Sequence, residues 1–434
     1  VLIYSSIITP RLQYIADFSG KEIIGKPFEI TTELTHYVQH NGFKINYSSG
    51  KTAANEFWIR PCSLLFDDKI TEQTIQCFEV DGNKAFFGTE GDFPFDIFAA
   101  SFYLLSRYEE YLPHQKDMYG RYAHENSLAH KEGFLNQPLI NNWLQLFRKR
   151  LKQKFPSLTI HQSPFIFLPT YDIDIAWAFK NKGLLRSAGG FIQSMVKGDW
   201  LRCRERITTL NGKRKDPFDT YEWMNQLHEK YQLKPYYFFL LAKKTGRYDK
   251  NISPRQKAVQ ILVKDHLIRY PVGIHPSWQS GDEKTLLKKE IETLEEMTGN
   301  KIVSSRQHYI RFTLPESFRR LIDQGIKFDF SMGYGSINGF RGSVASPFYW
   351  YDLEKAEQTP LMLFPFCYME ANSFYEQHYS PSQALEELYH YYKVVKAVNG
   401  TFIMIWHNHF LGTDRLYTGW REVYEQFVDE TAGM

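Results

Sequence analysis

Cysteine is scarce in these 434 residues: Cys62, Cys77, Cys203 and Cys367 are the four, far apart and without a Cys-x-x-Cys pair. That spacing argues against a thiolate zinc cluster and a dense disulfide framework, and it suits a reducing compartment. Long apolar runs are also missing, none approaching the roughly 18 residues that a membrane span needs. Neither sign of charge is in excess. Lys+Arg at 52 against Asp+Glu at 49 leaves a net +3, so the whole-chain balance offers no footprint for nucleic acid or an anionic membrane. The opening stretch, Val1 to Thr9, is apolar but has no basic leader and runs into Pro10-Arg11, so it reads as a β-strand rather than a secretory signal. The expectation is a cytoplasmic protein with no nucleic-acid partner and no transmembrane segment. Its oligomeric state is left open.

What the chain does have is 43% hydrophobic and 23% charged residues, the composition of a globular protein. At roughly 150 residues per domain, it has room for two or three domains. Aromatics reach 16%, which serves a core first and stacking on sugar rings second. The sequence changes character near Pro156. Residues 1–156 read as a smaller α/β accessory domain of unknown role, with helices predicted at 95–106 and 141–154. In it, Arg107-Tyr-Glu-Glu-Tyr111 reads as a charged helix end held by an ion pair.

Beyond Pro164, short apolar runs alternate with long amphipathic helices. The runs are 165–170, 235–241, 271–275, 301–305, 327–330, 361–364 and 401–406. Ser253-Pro254 and Ser380-Pro381 each supply an N-cap followed by proline at the first helical position, while Gly299 and Gly400 sit where helices stop. Strand then helix, repeated about seven times, predicts a parallel sheet curled into a distorted, incomplete (β/α) barrel over residues 157–434. In such barrels reactive groups collect where strands end.

Ionisable and metal-ligating side chains do gather there. Asp172 and Asp174 close the first run, His275 the third, Arg306 and His308 follow the fourth, Asp329 and Ser331 the fifth, and His407 and His409 the seventh. One aspartate with imidazoles is the ligand set of an open catalytic divalent site, which keeps a position for water. A second carboxylate can take a proton, an arginine can hold that carboxylate ionised, and a further histidine can protonate a departing amine. The inventory predicts metal-assisted hydrolysis of an amide or ester. Arg341, in Asn338-Gly-Phe-Arg-Gly342, could meet a sugar hydroxyl, a carboxylate or a phosphate, and a surface salt bridge is the equal alternative.

The order of these motifs resembles the polysaccharide deacetylase family, which includes chitin, chitooligosaccharide and peptidoglycan N-deacetylases. The resemblance covers about residues 164 to 412. It implies a hydrolase that removes N- or O-linked acetyl groups from a glycan or polysaccharide precursor, with a divalent metal, zinc first. Thr170-Tyr-Asp-Ile-Asp174 would make Asp172 the base and Asp174 a metal ligand. His275 would be a second ligand, with Ser277 and Trp278 beside the substrate. Arg306 would pair with the base, Asp329 and Ser331 would face the substrate with Arg341, and His407 would be the general acid. One departure stands out: Gln279 replaces the second histidine of the family's His-Ser/Thr-x-x-His motif, and amide oxygen is a poor zinc ligand beside imidazole. His308 is the expected replacement, with His409 in reserve. The alternative is a catalytically silent glycan-binding protein that lost its metal at Gln279.

Overall fold

The computed structural model describes residues 1–431. The first part of the chain builds a small parallel sheet from β1 (Leu2–Tyr4), β2 (Glu29–Thr31), β3 (Lys44–Asn46) and β4 (Phe57–Trp58), in the order β2-β1-β3-β4. A hairpin of β5 (Phe78–Val80) and β6 (Asn83–Ala85) follows. The helix Pro10–Ile24 begins where Thr9 caps Leu12 N–H and ends at Gly25, whose φ of 76° is the left-handed turn that glycine adopts without strain. Asp96 caps the next apolar helix, Ile97–Leu105, every residue of which is buried.

The remaining strands form one nine-stranded sheet: β7 (Ile166–Ile173), β8 (Tyr236–Leu240), β9 (Val272–His275), β10 (Ser304–Ser305), β11 (Phe328–Asp329), β12 (Phe348–Asp352), β13 (Glu357–Leu363), β14 (Tyr368–Met369) and β15 (Thr401–His407). Its order is β12-β13-β11-β10-β9-β8-β7-β15-β14. All seven expected runs are strands. β14 is an eighth parallel strand absent from the expected runs; β10 and β11 are equally short, but each lies inside a longer expected run. Apart from β12, which pairs antiparallel with β13, the strands follow chain order around the sheet. Among the described residues no ladder joins β13 to β14, so the sheet is open there.

Register, rather than overall shape, positions the site. β7 lies between β15 and β8, with Asp172 opposite His407 on one side and Phe238 on the other. His275 pairs with Leu240, and Ser305 with both Ile274 and Asp329. The ends of five strands therefore converge at one edge. Ser380 starts the helix Pro381–Ala397 with a full capping box, and Gly299 ends Lys284–Thr298 in the left-handed conformation. Ser253-Pro254 does not start its helix: Lys257–Arg269 begins after Gln256, and the Ser253 carbonyl instead accepts from Gln256 N–H to close a turn. Gly400 lies just beyond Val398, the residue that ends the helix Pro381–Ala397, and leads into β15.

The two parts of the chain share buried polar contacts. Tyr14 donates to the Tyr349 carbonyl, and the Asn141 side chain donates to Ser346 and accepts from Ala345 N–H. Among the described residues no helix is long and apolar enough to cross a membrane.

Candidate active site

A cavity of about 540 Å³ opens where β7, β9, β10 and β15 end. Asp172, Asp174, His275, His308 and His407 all line it. Asp174 is the hub, with its Oδ1 lying 3.2 Å from His275 Nε2 and its Oδ2 lying 3.3 Å from His308 Nε2 and 3.5 Å from His407 Nε2. One ligand atom each from Asp174, His275 and His308 lies within 4.8 Å of the others.

The imidazoles are aimed from behind. His275 Nδ1 sits 2.5 Å from the Arg306 carbonyl, which can only accept, so Nδ1 carries the proton and Nε2 faces Asp174. His308 Nδ1 likewise donates to Asp249 Oδ1 at 2.9 Å, and Asp249 is itself held by Trp278 N–H. Two Nε2 atoms backed by a carbonyl and a carboxylate are the outer-shell arrangement of histidine metal ligands. Asp174 Oδ1 is buried without a hydrogen-bond partner, an orphaned acceptor that a cation would satisfy. The donor set therefore fits a divalent ion.

Asp172 stands beside this group, its Oδ2 3.7 Å from His275 Nε2. Its other oxygen accepts from the fully buried Arg306 at 2.9 Å. Arg306 also donates to Thr170 Oγ1 and to the Phe330 carbonyl, so the guanidinium is fixed at three points. Burial pulls Arg306 below its ordinary range, opposed by the charge of Asp172.

On the far side, His407 Nδ1 donates to Glu370 Oε1 at 2.7 Å, and the same oxygen accepts the His407 backbone N–H. Electrostatics follow from this packing. Burial would raise Asp174, but the charges of His308 and His407 outweigh it and hold the carboxyl well below its usual range. Burial would lower His308 and His407, but Asp174 and Asp249 lift the first to about 9, while Glu370 and Asp174 lift the second to about 10. For His409, burial and the neighbouring His407 outweigh the charge of Asp174 and lower it to about 3.

The remaining sequence-derived residues sit behind the cavity wall. Asp329 is fully buried, accepting from the Ser305 and Ser331 hydroxyls, and Ser331 in turn accepts from Gln307 N–H. Burial pushes Asp329 up to about 6 against those hydrogen bonds. It supports the strand end that carries Arg306 and lines no part of the cavity. Ser277 is buried with its N–H on Glu290, and Trp278 stacks on the cavity-lining Tyr248 with ring centroids 4.0 Å apart. Gln279 is exposed in a short 3-10 turn. Arg341 corrects the sequence reading: it is 1% exposed and forks onto Glu110 at 2.8 and 2.5 Å, so its donors are spent inside the protein rather than at a sugar. Glu110 also accepts from Arg107, which joins the two charged motifs into one buried cluster.

Four contributors escaped the sequence reading. Glu370 and Asp249 orient the histidines, and Tyr119 and Arg121, from the first part of the chain, line the cavity. Arg121 is anchored by Asp117 and by the Tyr309 carbonyl. Glu370 obeys the strand-end rule, one residue after β14. Nothing local marks the other three.

Residues 1–156 match the model of a family of unknown function, DUF7033. No curated protein matches the chain. Among solved structures, a protein assigned as a polysaccharide deacetylase from Mycobacterium smegmatis is 13% identical, with 64% of this chain and 87% of that one covered at a TM-score of 0.41. A second so assigned, from Pseudomonas aeruginosa PAO1, is 11% identical, covering 62% and 85% at 0.40. A CE4 family pseudoenzyme from Bacillus anthracis is 11% identical, covering 62% and 63% at 0.32.

Proposed function

We propose that this chain is a metal-dependent hydrolase that removes acetyl groups, N- or O-linked, from a glycan, as a divergent polysaccharide deacetylase. On this reading residues 157–434 are the catalytic unit, an opened (β/α) barrel, and residues 1–156 an accessory domain packed on it. The observation that carries the reading is the convergence of Asp174, His275 and His308 around an unpartnered carboxylate oxygen, with Asp172 alongside. Asp174, His275 and His308 would hold the cation, zinc first. When bound, it would acidify a water and polarise the acyl carbonyl.

The rest of the chemistry belongs to side chains of this chain. Asp172 takes a proton at Oδ2, the oxygen that Arg306 leaves free, and Arg306 aims the carboxylate. His407 gives a proton from Nε2 to the departing nitrogen or oxygen, with Glu370 fixing its ring through Nδ1. The glycan-binding alternative drew on the abundant aromatics and on Gln279. With His308 as the proposed third ligand, Gln279 would not leave the site short.

The test is acetate release from acetylated oligosaccharides by chelator-treated protein reloaded with zinc, cobalt or manganese. Release that chelator abolishes and metal restores is expected. Protein that binds metal yet releases no acetate from any N- or O-acetylated glycan would overturn the reading.

A further inference from the structure

Between β7 and β8 the chain inserts two helices, Leu184–Val196 and Trp200–Leu210. An amphipathic helix of a globular protein turns its apolar stripe inward. These two do the reverse. In the first, Leu184, Leu185, Ala188, Ile192, Met195 and Val196 fall on one helical face, and that face is in water: Leu184 is 91% exposed, Leu185 93% and Val196 83%. The opposite side, with Arg186, Ser187, Gly190, Phe191 and Ser194, is half-buried or buried. Ser194 is the one buried residue of the helix, and at Gly190 an added Cβ would meet Arg206 of the second helix at 2.7 Å. The second helix repeats the inversion. Trp200, 66% exposed, lies outward with Leu201, Ile207 and Leu210, while Glu205 is buried and paired with Arg202 and Arg214.

The charge around this face has one sign. From Lys180 to Lys215 there are ten lysines and arginines against two acids, Asp199 and Glu205. Both acids are already matched within the protein, Asp199 by Arg415 and Glu205 by its two arginines. The whole-chain balance of +3 conceals this concentration. Lys197, Arg204 and Lys213 are exposed around the apolar stripe.

We infer that the two inserted helices form a docking surface for an anionic lipid bilayer, their apolar side chains entering the interface and the exposed cations meeting lipid headgroups. Apolar side chains with a tryptophan on one face and lysine and arginine around it are the composition of interfacial helices. Uniform positive charge around the stripe selects an anionic lipid surface. A second copy of this chain would bring the same cations against themselves. The base of the insertion is tied to the cavity rim: Arg186 donates to the Lys250 and Asn251 carbonyls at 2.7 and 2.8 Å, and Lys250 lines the cavity. Docking therefore sets the cavity rim beside the lipid surface. Neither the docking nor its test depends on the hydrolase reading.

The experiment is flotation of the full chain with vesicles of mixed phosphatidylglycerol and phosphatidylcholine, and with pure phosphatidylcholine. Wild type should float with the anionic vesicles, less with the neutral ones, and less again in high salt. The triple variant Leu184→Glu, Leu185→Glu, Val196→Glu should lower partitioning at least ~tenfold with an unchanged thermal midpoint. The charge reversal Lys197→Glu, Arg204→Glu, Lys213→Glu gives a second reading should the first variant misfold, and should likewise abolish flotation. Failure of wild type to float, or flotation that neither variant reduces, overturns the inference. So does a wild-type dimer, by light scattering, that the triple variant turns into monomer while neither binds vesicles.

Discussion

Asp172→Asn should lower acetate release by about 10²–10⁴-fold while leaving the bound metal in place. Asparagine keeps the shape that Arg306 grips but cannot take a proton, and the three proposed ligands are untouched. The informative comparison is therefore kcat against metal content, measured on one preparation. A loss of turnover at full metal occupancy supports the base. An equal loss of both would make Asp172 a ligand, and unchanged turnover would remove it from the chemistry.

The second large effect lies at residues that do not line the cavity. Glu110 is held by Arg341 and Arg107, all three buried, where the two parts of the chain meet. Glu110→Gln keeps the volume but leaves Arg341 facing a neutral amide and Arg107 with Glu109 as its remaining carboxylate. Breaking a buried pair from one side costs about 3–5 kcal/mol, much of it the penalty of the charge left behind. A fall of that size in urea-unfolding stability is expected, and the double change Glu110→Leu with Arg341→Met should recover part of it.

The same cluster has an acid signature. Burial would raise Glu110, but Arg341 and Arg107 hold it at about 2 against an ordinary 4.5. The folded state thus binds its proton later than the unfolded state does. The contribution is complete above about 4.5 and is lost as pH falls toward 2. Glu110→Gln should flatten that limb of the stability profile, and an unchanged midpoint and profile would show the cluster to be neutral.

The sequence reading succeeded and failed for identifiable physical reasons. β7, β8, β9, β13 and β15 were legible because each carries a stretch of apolar residues that needs no neighbour to be seen, whereas β10 and β11 are two residues each and lie inside the expected runs 301–305 and 327–330. Asp172, Asp174, His275, His308 and His407 were legible because each follows such a run directly. Glu370 obeys the same rule but follows Tyr368–Met369, a strand that lies outside the expected runs 361–364 and 401–406. Asp249 lies in the loop beyond β8 and meets His308 only through folding. Tyr119 and Arg121 reach the cavity from a region with no chemical motif of its own.

Arg341 misled because flanking glycines suggest an exposed loop, whereas its partner Glu110 stands 231 positions away. The inserted helices were not singled out in the sequence. Their amphipathic pattern is plain in the sequence, but which side faces water is a tertiary fact, and averaging charge over the whole chain hid the local excess.

One binding measurement tests the proposed metal centre. Untagged protein stripped with chelator should take up one equivalent of zinc or cobalt by calorimetric titration, and His308→Ala should weaken that uptake at least ~tenfold, whereas Gln279→Ala should leave it unchanged. Absence of uptake, or an affinity indifferent to the loss of His308, would contradict the three-residue centre from which the proposed chemistry follows.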